Sequence, residues 1–307
     1  MPAQTQPNVI YKDRLFKAIF GKEEHKDWLL SLYNALNNSD YKNPDDLELT
    51  TIENIIYITM KNDLSFLIDS QMNLYEQQST WNPNMPLRGL FYFAQLYQLH
   101  ISKQKKDIYS STLLKIPTPQ FIVIYNGTRQ TADIEKLKLS DAFEVPKNDG
   151  EFEWTATLVN INKGHNESLL SKCRPLKDYA TYIGRIKSNI KQGLNKEEAV
   201  DEAMNFAISN NMLNGFFQNQ KMEVLNMSLT EFDQEEYDRN RYDEGKAAGI
   251  LEGKKAGILE GIKKGEALVL QKAIETAKKL IKMGLEPEKV IQATGLSADE
   301  VSKLVKA

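Results

Sequence analysis

The sequence predicts an α/β fold, a mixed sheet with helices packed against it, followed by a helical region and a repetitive tail. Three observations predict it. Apolar residues between positions 15 and 36 recur at the i, i+3 and i+4 spacings of an amphipathic helix. Three strand-like runs then follow each other within residues 51–78. Finally, the continuous apolar run 121–125 stops at Asn126-Gly127, as expected of a strand covered on both faces.

The predicted order of elements is helix, three strands, helix, strand and a further strand. Gly21 interrupts the first helical stretch. The runs 51–60, 63–69 and 72–78 are separated by turn-like pairs and predict an antiparallel meander. Pro83 and Pro86 end this region and precede a helix with a broad apolar stripe over residues 87–101. The last predicted strand covers residues 154–161, and the order as a whole is that of an α/β domain.

Composition excludes several classes of protein. The 307 residues carry a formal net charge of −3, without the basic excess of proteins that coat nucleic acids. Cys173 is the only cysteine, so neither an internal disulfide nor a cysteine-based zinc site is expected, and a buried, inert thiol is. The first eight residues contain no apolar signal region, and no apolar run reaches the roughly 18 residues of a membrane span. We expect a cytoplasmic protein that does not enter membranes.

Changes of texture divide the chain into four predicted segments. Residues 1–165 form the α/β domain, 166–236 a helical region, 237–266 a glycine-repeat linker or helix, and 267–307 a small module. In that module, Gly284 is typical of a helix end, Pro287 of a helix start, and Ser297 with Glu300 of a capping box. Three short helices with a turn at Thr294-Gly295 resemble a helix-turn-helix, which predicts an accessory contact with DNA or with another protomer.

Glycine recurs at every fourth position of the repeat, at Gly245, Gly249, Gly253, Gly257, Gly261 and Gly265. Each glycine inside a helix costs about 1 kcal/mol relative to alanine, so an isolated helix here is marginal. The segment is therefore either a loosely helical linker or a stripe that lets another backbone approach closely. The second alternative predicts a homo-oligomer that forms through the C-terminal tail.

Two acids could carry metal chemistry. Asp63 starts the second predicted strand and Glu76 lies on the third, 13 residues later, so one hairpin can bring them together. Glu76 and Gln78 share a strand face with Met72 and Leu74, and an ionised carboxylate on a core-facing row needs a compensating charge. Mg²⁺ prefers oxygen ligands of this kind and lowers the pKa of a bound water. The alternative is structural, because acids at strand ends are common.

Candidate contacts with DNA phosphates are Arg88, near the start of the helix after the Glu76 strand, and the cluster Lys103, Lys105 and Lys106. The alternative for the cluster is a solvated helix end, where lysines interact favourably with the helix dipole. Trp81 and Tyr75 can stack on bases, although aromatic residues beside a sheet more often belong to its core. Asp13 immediately precedes the first helix and can cap it.

Four separated motifs resemble the recombination-promoting nuclease (transposase-like) family of the PD-(D/E)XK nuclease superfamily. They are DRLFKAIFG at 13–21, which fits the family pattern D-x-x-F-K-x-x-F, KNDLSF at 61–66, NLYEQQS at 73–79 and NPNMPLRG at 82–89. The glycine repeat and the terminal helices are also similar to the tails of family members. The likeness therefore spans most of the chain.

This resemblance implies a restriction-endonuclease-like core and a Mg²⁺-dependent (or Mn²⁺-dependent) DNA endonuclease linked to recombination or mobile elements. Asp63 and Glu76 would be the two acids of the motif and the metal ligands, and Asp13 would add a further acid from the first helix. Gln78 falls where the superfamily usually has a lysine, which removes a positive charge from the reaction centre. The alternative function is a catalytically weak nuclease fold that acts as a DNA- or protein-binding module.

Overall fold

A six-stranded open sheet with helices packed against it confirms the α/β class that the sequence predicts. The computed structural model describes residues 14–50, 64–146 and 150–306. The chain divides into two units, Met1–Tyr237 and Asp238–Ala307. Among the described residues, no helix is both long and apolar enough to cross a membrane.

The sheet belongs to the first unit and mixes parallel with antiparallel pairing. Its strands are β1 (Leu47–Leu49), β2 (Leu64–Ile68), β3 (Gln71–Gln78), β4 (Thr118–Tyr125), β5 (Ile134–Lys138) and β6 (Thr155–Asn160), in the order β1-β2-β3-β4-β6-β5. The first three strands form an antiparallel meander. β3, β4 and β6 are parallel, and β5 is antiparallel to β6 at the edge. The carboxyl ends of β3, β4 and β6 therefore meet at one edge of the sheet.

Helices cover both faces of this sheet. The described α-helices that lie wholly within the first unit are α1 (Arg14–Phe20), α2 (Lys26–Asn37), α3 (Met85–Lys103), α4 (Glu167–Lys172), α5 (Arg174–Lys191), α6 (Lys196–Ser209) and α7 (Phe216–Asn219). On one face, α1, α2, α5 and α6 enclose a large apolar core with Phe66, Tyr75 and Ile124 of the sheet. On the other face, α3 packs on Leu74, Val123 and Leu158. Burial on both faces explains why residues 121–125 of β4 are all apolar or aromatic.

Helix α3 packs closely against the sheet at Gly89. Besides Pro86, the helix buries five residues at the i, i+3 and i+4 spacing of one helix face: Met85, Gly89, Tyr92, Phe93 and Leu96. A Cβ atom at Gly89 would lie 2.4 Å from the ring of Phe121 and 3.0 Å from Nε1 of Trp154. The missing side chain therefore sets how near the first turns of α3 come to the strands.

Two strands of the sheet differ from the sequence prediction. The predicted run 51–60 lies outside the described residues, and the strand that pairs with β2 is the short β1, which the sequence analysis did not identify. The edge strand β5 was also not predicted, since Leu137 is its only buried residue. Gly21 follows the end of α1, and the strands predicted at 121–125 and 154–161 contain the cores of β4 and β6, as expected.

The glycine repeat lies within one long helix. Helix α8 (Lys221–Lys282) includes all six glycines of the repeat, and apart from the neighbouring backbone of the helix itself no described atom lies within 4 Å of a Cβ built on any of them. In the second unit, α9 (Pro287–Thr294) and α10 (Ala298–Lys306) bury Val290 and Val301 in a small core with Ala277. Gly284 has the left-handed φ angle expected of the predicted helix end, and Gly295, in the predicted turn, also has a left-handed φ angle. The predicted capping box between Ser297 and Glu300 also forms.

We predict that Gly89→Ala destabilises the first unit by about 1–3 kcal/mol, because the new methyl group must displace the ring of Phe121. Gly184→Ala is the matched control, since Gly184 is an exposed position in the interior of α5 where a Cβ would meet no described atom beyond the helix's own backbone. That substitution should stabilise the unit by up to about 1 kcal/mol through helix propensity. Urea denaturation measures both variants, and equal effects would contradict the close packing at Gly89.

Candidate functional site

Two polar side chains continue an apolar row on the α3 side of β3. Met72 and Leu74 lie in the core beneath α3. Glu76 and Gln78 follow at the same strand parity, and their residues are only 1% and 8% exposed. The sequence pattern predicted this arrangement. A carboxylate at this depth is costly when ionised, unless a positive charge or hydrogen bonds compensate for its lost hydration.

Among the described residues, the charge that pairs with Glu76 comes from the first turn of α3. Nη2 of Arg88 lies 3.1 Å from Oε2 of Glu76, and the guanidinium also donates to the Tyr92 hydroxyl at 3.3 Å. Arg88 and Tyr92 are four residues apart, so both project from one face of the helix. Among the described residues, the Arg88 guanidinium and the Tyr92 hydroxyl favour the ionised form of Glu76, but neither meets its carboxylate oxygens in regular hydrogen-bond geometry. The ion pair is therefore its principal compensation, and the site has acceptor capacity left for a further cation or donor.

Burial dominates the ionisation of Glu76. Loss of hydration raises the pKa of its carboxyl group, and the Arg88 guanidinium and the Tyr92 hydroxyl oppose this shift only in part. A buried carboxyl group with a raised pKa and a specific charge partner is typical of functional sites, although structural ion pairs also produce it. Glu76 is thus the described acid whose environment differs most from that of an ordinary surface carboxylate.

The other acids predicted for the site, Asp63 and Asp13, lie outside the described residues. Within the described part of the chain, no group of three or more His, Cys, Asp or Glu side chains could hold a metal ion. The described donor set for a hard cation is therefore the Glu76 carboxylate, with the Gln78 amide as its neighbour on the same strand face. Cys173 is fully buried, as predicted, and burial raises the pKa of its thiol, which fits an inert cysteine.

The predicted DNA-contacting cations do not lie together. Arg88 is paired with Glu76, a partner that the sequence did not predict. Lys103 lies 15 residues further along α3, about 22 Å along the helix axis, where its ammonium group forms an ion pair with Glu48. Lys105 and Lys106 are exposed just after that helix end. This lysine cluster is therefore at the opposite end of α3 from Glu76. That position fits the alternative in which the lysines lie at a solvated helix end.

Residues that the sequence analysis missed surround the carboxyl end of β3. The Asn126 backbone amide donates to the Gln78 carbonyl oxygen at 3.1 Å. Tyr125 lies opposite Gln78 in the sheet, and its hydroxyl donates to the Arg129 carbonyl oxygen at 3.1 Å and accepts from the Arg129 amide at 3.0 Å. The Arg129 guanidinium stacks over the ring of Trp81, 3.6 Å from its centroid. The sequence showed Asn126-Gly127 only as a turn.

Hydrogen bonds of the Asn126 side chain and carbonyl group support the same strand ends from the other face of the sheet. Nε2 of Gln77 donates to Oδ1 of Asn126 at 2.9 Å, and Nδ2 of Asn126 lies 3.4 Å from the Tyr179 hydroxyl. The Lys187 ammonium donates to the Asn126 carbonyl oxygen. Asn126 therefore connects β3 and β4 to α5, and these bonds hold the backbone that carries Gln78 in place.

Two of the four motifs that resemble the nuclease family, at 73–79 and 82–89, contain Glu76, Gln78 and Arg88. Comparison of the chain with family models, curated proteins and solved structures finds no match in any of the three. Family membership therefore stays a prediction from the motifs, and the geometry around Glu76 is the basis for any functional conclusion.

Proposed function

We propose that the chain is a Mg²⁺-dependent DNA endonuclease with a restriction-endonuclease-like core, linked to recombination or mobile elements. In this proposal Asp63 and Glu76 hold the metal (Mg²⁺ or Mn²⁺), Gln78 orients water or phosphate, and Asp13 adds a further acid. The observation that carries the proposal is the Glu76 carboxylate, buried beneath α3 with Arg88 as its principal compensation. A carboxylate so placed has a clear use if it binds a divalent cation.

The register of the β2–β3 hairpin supports a shared site for the two acids. Leu64 lies opposite Tyr75, and Ser65 opposite Leu74, in an antiparallel ladder. If the ladder continues by one pair, the residue opposite Glu76 is Asp63, which lies outside the described residues. Directly opposite residues of an antiparallel pair project to the same face of the sheet. We therefore expect the two carboxylates to share one divalent ion.

The chain's own residues have separable roles in this proposal. A bound divalent ion supplies a water of lowered pKa and positive charge near the scissile phosphate. Glu76 and Asp63 hold it, and the Gln78 amide donates or accepts a hydrogen bond without changing charge. Arg88 keeps the Glu76 charge compensated when no metal is bound, and it remains a cation within reach of a phosphate oxygen when one is.

A second candidate function is a catalytically weak nuclease fold that binds DNA or a protein. Two observations favour it: Gln78 is uncharged where the superfamily usually has a lysine, and Arg88 already occupies one side of Glu76. Binding of the metal separates the two candidates, because the binding module needs none. The homo-oligomer and the DNA contact of the C-terminal module are further parts of the proposal that rest on the sequence pattern.

We predict that Glu76→Gln and Asp63→Asn each reduce Mg²⁺-dependent cleavage of supercoiled plasmid DNA by at least about 100-fold, because each removes a proposed metal ligand. Glu48→Gln is the matched control. It makes the same substitution on β1 of the same sheet, where the side chain is half exposed and pairs with Lys103, and it should cleave like the wild type. An unchanged rate in either site variant would contradict the proposed roles.

We also predict that Glu76→Gln raises the free energy of unfolding at neutral pH. Because burial raises the pKa of Glu76 in the folded state, ionisation opposes folding as the pH rises above the ordinary value of 4.5. Glutamine does not ionise, so its advantage should vanish below that pH. Denaturant titrations across this range measure the difference, and a loss of stability at neutral pH would indicate that the Arg88 ion pair mainly stabilises the fold.

Metal binding without catalysis is a further test. Mg²⁺ at about 100 times its dissociation constant should raise the unfolding free energy of the wild type by about 2.7 kcal/mol. The Glu76→Gln variant should show no such increase, whereas Glu48→Gln should respond like the wild type. If Mg²⁺ and Mn²⁺ leave the wild type unchanged, the binding-module candidate is the one that remains.

A further inference from the structure

An exposed arginine is held rigidly at the edge of the sheet where β3 and β4 end. Arg129 lies in the loop after β4, and Trp81 lies in the loop after β3. The guanidinium carbon of Arg129 is 3.6 Å from the centroid of the Trp81 ring, which is the geometry of a cation–π contact. The two loops follow adjacent parallel strands, so both emerge at the edge to which the Glu76–Gln78 segment leads.

The backbone of Arg129 is fixed as well as its side chain. The Tyr125 hydroxyl bonds both the amide and the carbonyl of Arg129. Tyr125 is the sheet partner of Gln78, and its ring belongs to the same apolar cluster beneath α3 as Met72 and Leu74. A Cβ atom at Gly127 would lie 2.3 Å from the Ser79 carbonyl oxygen, so the backbones of the two loops are in close contact there. Arg129 is therefore positioned relative to Gln78 by short, direct contacts.

Within the described part of the chain, the charge of Arg129 faces the Trp81 ring and no acidic group neutralises it. No carboxylate of the described residues forms an ion pair with it, and its side chain is exposed. A guanidinium stacked on an aromatic ring keeps its in-plane N–H donors directed outward, where they match the oxygens of a phosphate in a bidentate fashion. Arg88 and Lys103, in contrast, are already paired with Glu76 and Glu48.

We propose that Arg129, stacked on Trp81, binds a phosphate of the DNA backbone beside Gln78 and supplies the positive charge that Gln78 lacks. The inference deepens the proposed function, because it names the group that contacts the substrate at the same site. Arg129 is a binding residue in this account, and Trp81 is a positioning residue that fixes the direction of the guanidinium. The recognised chemistry is the phosphodiester, so no base preference is implied.

The test is binding of the full-length protein to a short fluorescent DNA duplex in Ca²⁺, measured by anisotropy over a range of salt concentrations. We expect Arg129→Gln to weaken binding about tenfold at low salt. The slope of log Kd against log salt should fall by about one, which is the contribution of a single phosphate contact. Arg129→Lys should keep the slope but lose part of the affinity, because an ammonium cannot bind phosphate as a fork. Trp81→Leu should also keep the slope while weakening binding.

Arg174→Gln is the control, because Arg174 is an exposed arginine at the start of α5 with only a distant acidic partner at 3.8 Å. It should leave both affinity and slope unchanged. Wild-type affinity and slope in Arg129→Gln, an equal loss in Arg174→Gln, or a wild type that does not bind the duplex would each overturn the inference. If binding depends on Arg129 but the wild type does not cleave DNA in Mg²⁺, the hydrolytic proposal fails and the phosphate contact stands.

Discussion

The burial of one carboxylate organises the centre of this protein. Glu76 lies in a sheet covered on both faces, and its lost hydration is compensated mainly by Arg88 at 3.1 Å. That contact requires α3 to lie very close to the strands, and Gly89, the residue after Arg88, makes the approach possible where a methyl group would meet Phe121. The packing of α3 and the electrostatics of Glu76 are thus one constraint. If position 76 served stability alone, an apolar residue would be expected there, like Met72 and Leu74 in the same row.

The strand ends add a second layer of organisation. Asn126 joins the ends of β3 and β4 to Lys187 and Tyr179 on one face of the sheet. Tyr125 and Trp81 hold Arg129 on the other side of the same turn. Such preorganisation keeps polar groups in fixed directions without the entropic cost of ordering flexible side chains at the moment of binding. In the proposed function, the carboxylate end of the site therefore lies on β3, and its cationic end lies in the loops that follow the parallel strands β3 and β4.

Local periodicity was sufficient to predict much of the fold. Alternation in β3 correctly put Glu76 and Gln78 on the core-facing row, and the apolar run of β4 correctly indicated a central strand. The two short strands were not predicted. β1 has three residues and β5 buries only Leu137, so neither shows a clear alternation of apolar and polar residues. The partners of the site escaped for a different reason. Arg88 contacts Glu76, and Arg129 contacts Trp81, only because the fold packs these segments together. The spacing of residues in the sequence does not indicate which cation pairs with which group.

The central claim is that the Glu76 carboxylate exists to bind a divalent cation together with Asp63. A crystal structure of the wild type with Mn²⁺, located by its anomalous scattering, tests this most directly. The account predicts an ion within about 2.2 Å of carboxylate oxygens from both residues, with the remaining positions open to water or phosphate. An ordered site in which Glu76 contacts Arg88 alone, with no anomalous peak at saturating Mn²⁺, would contradict it.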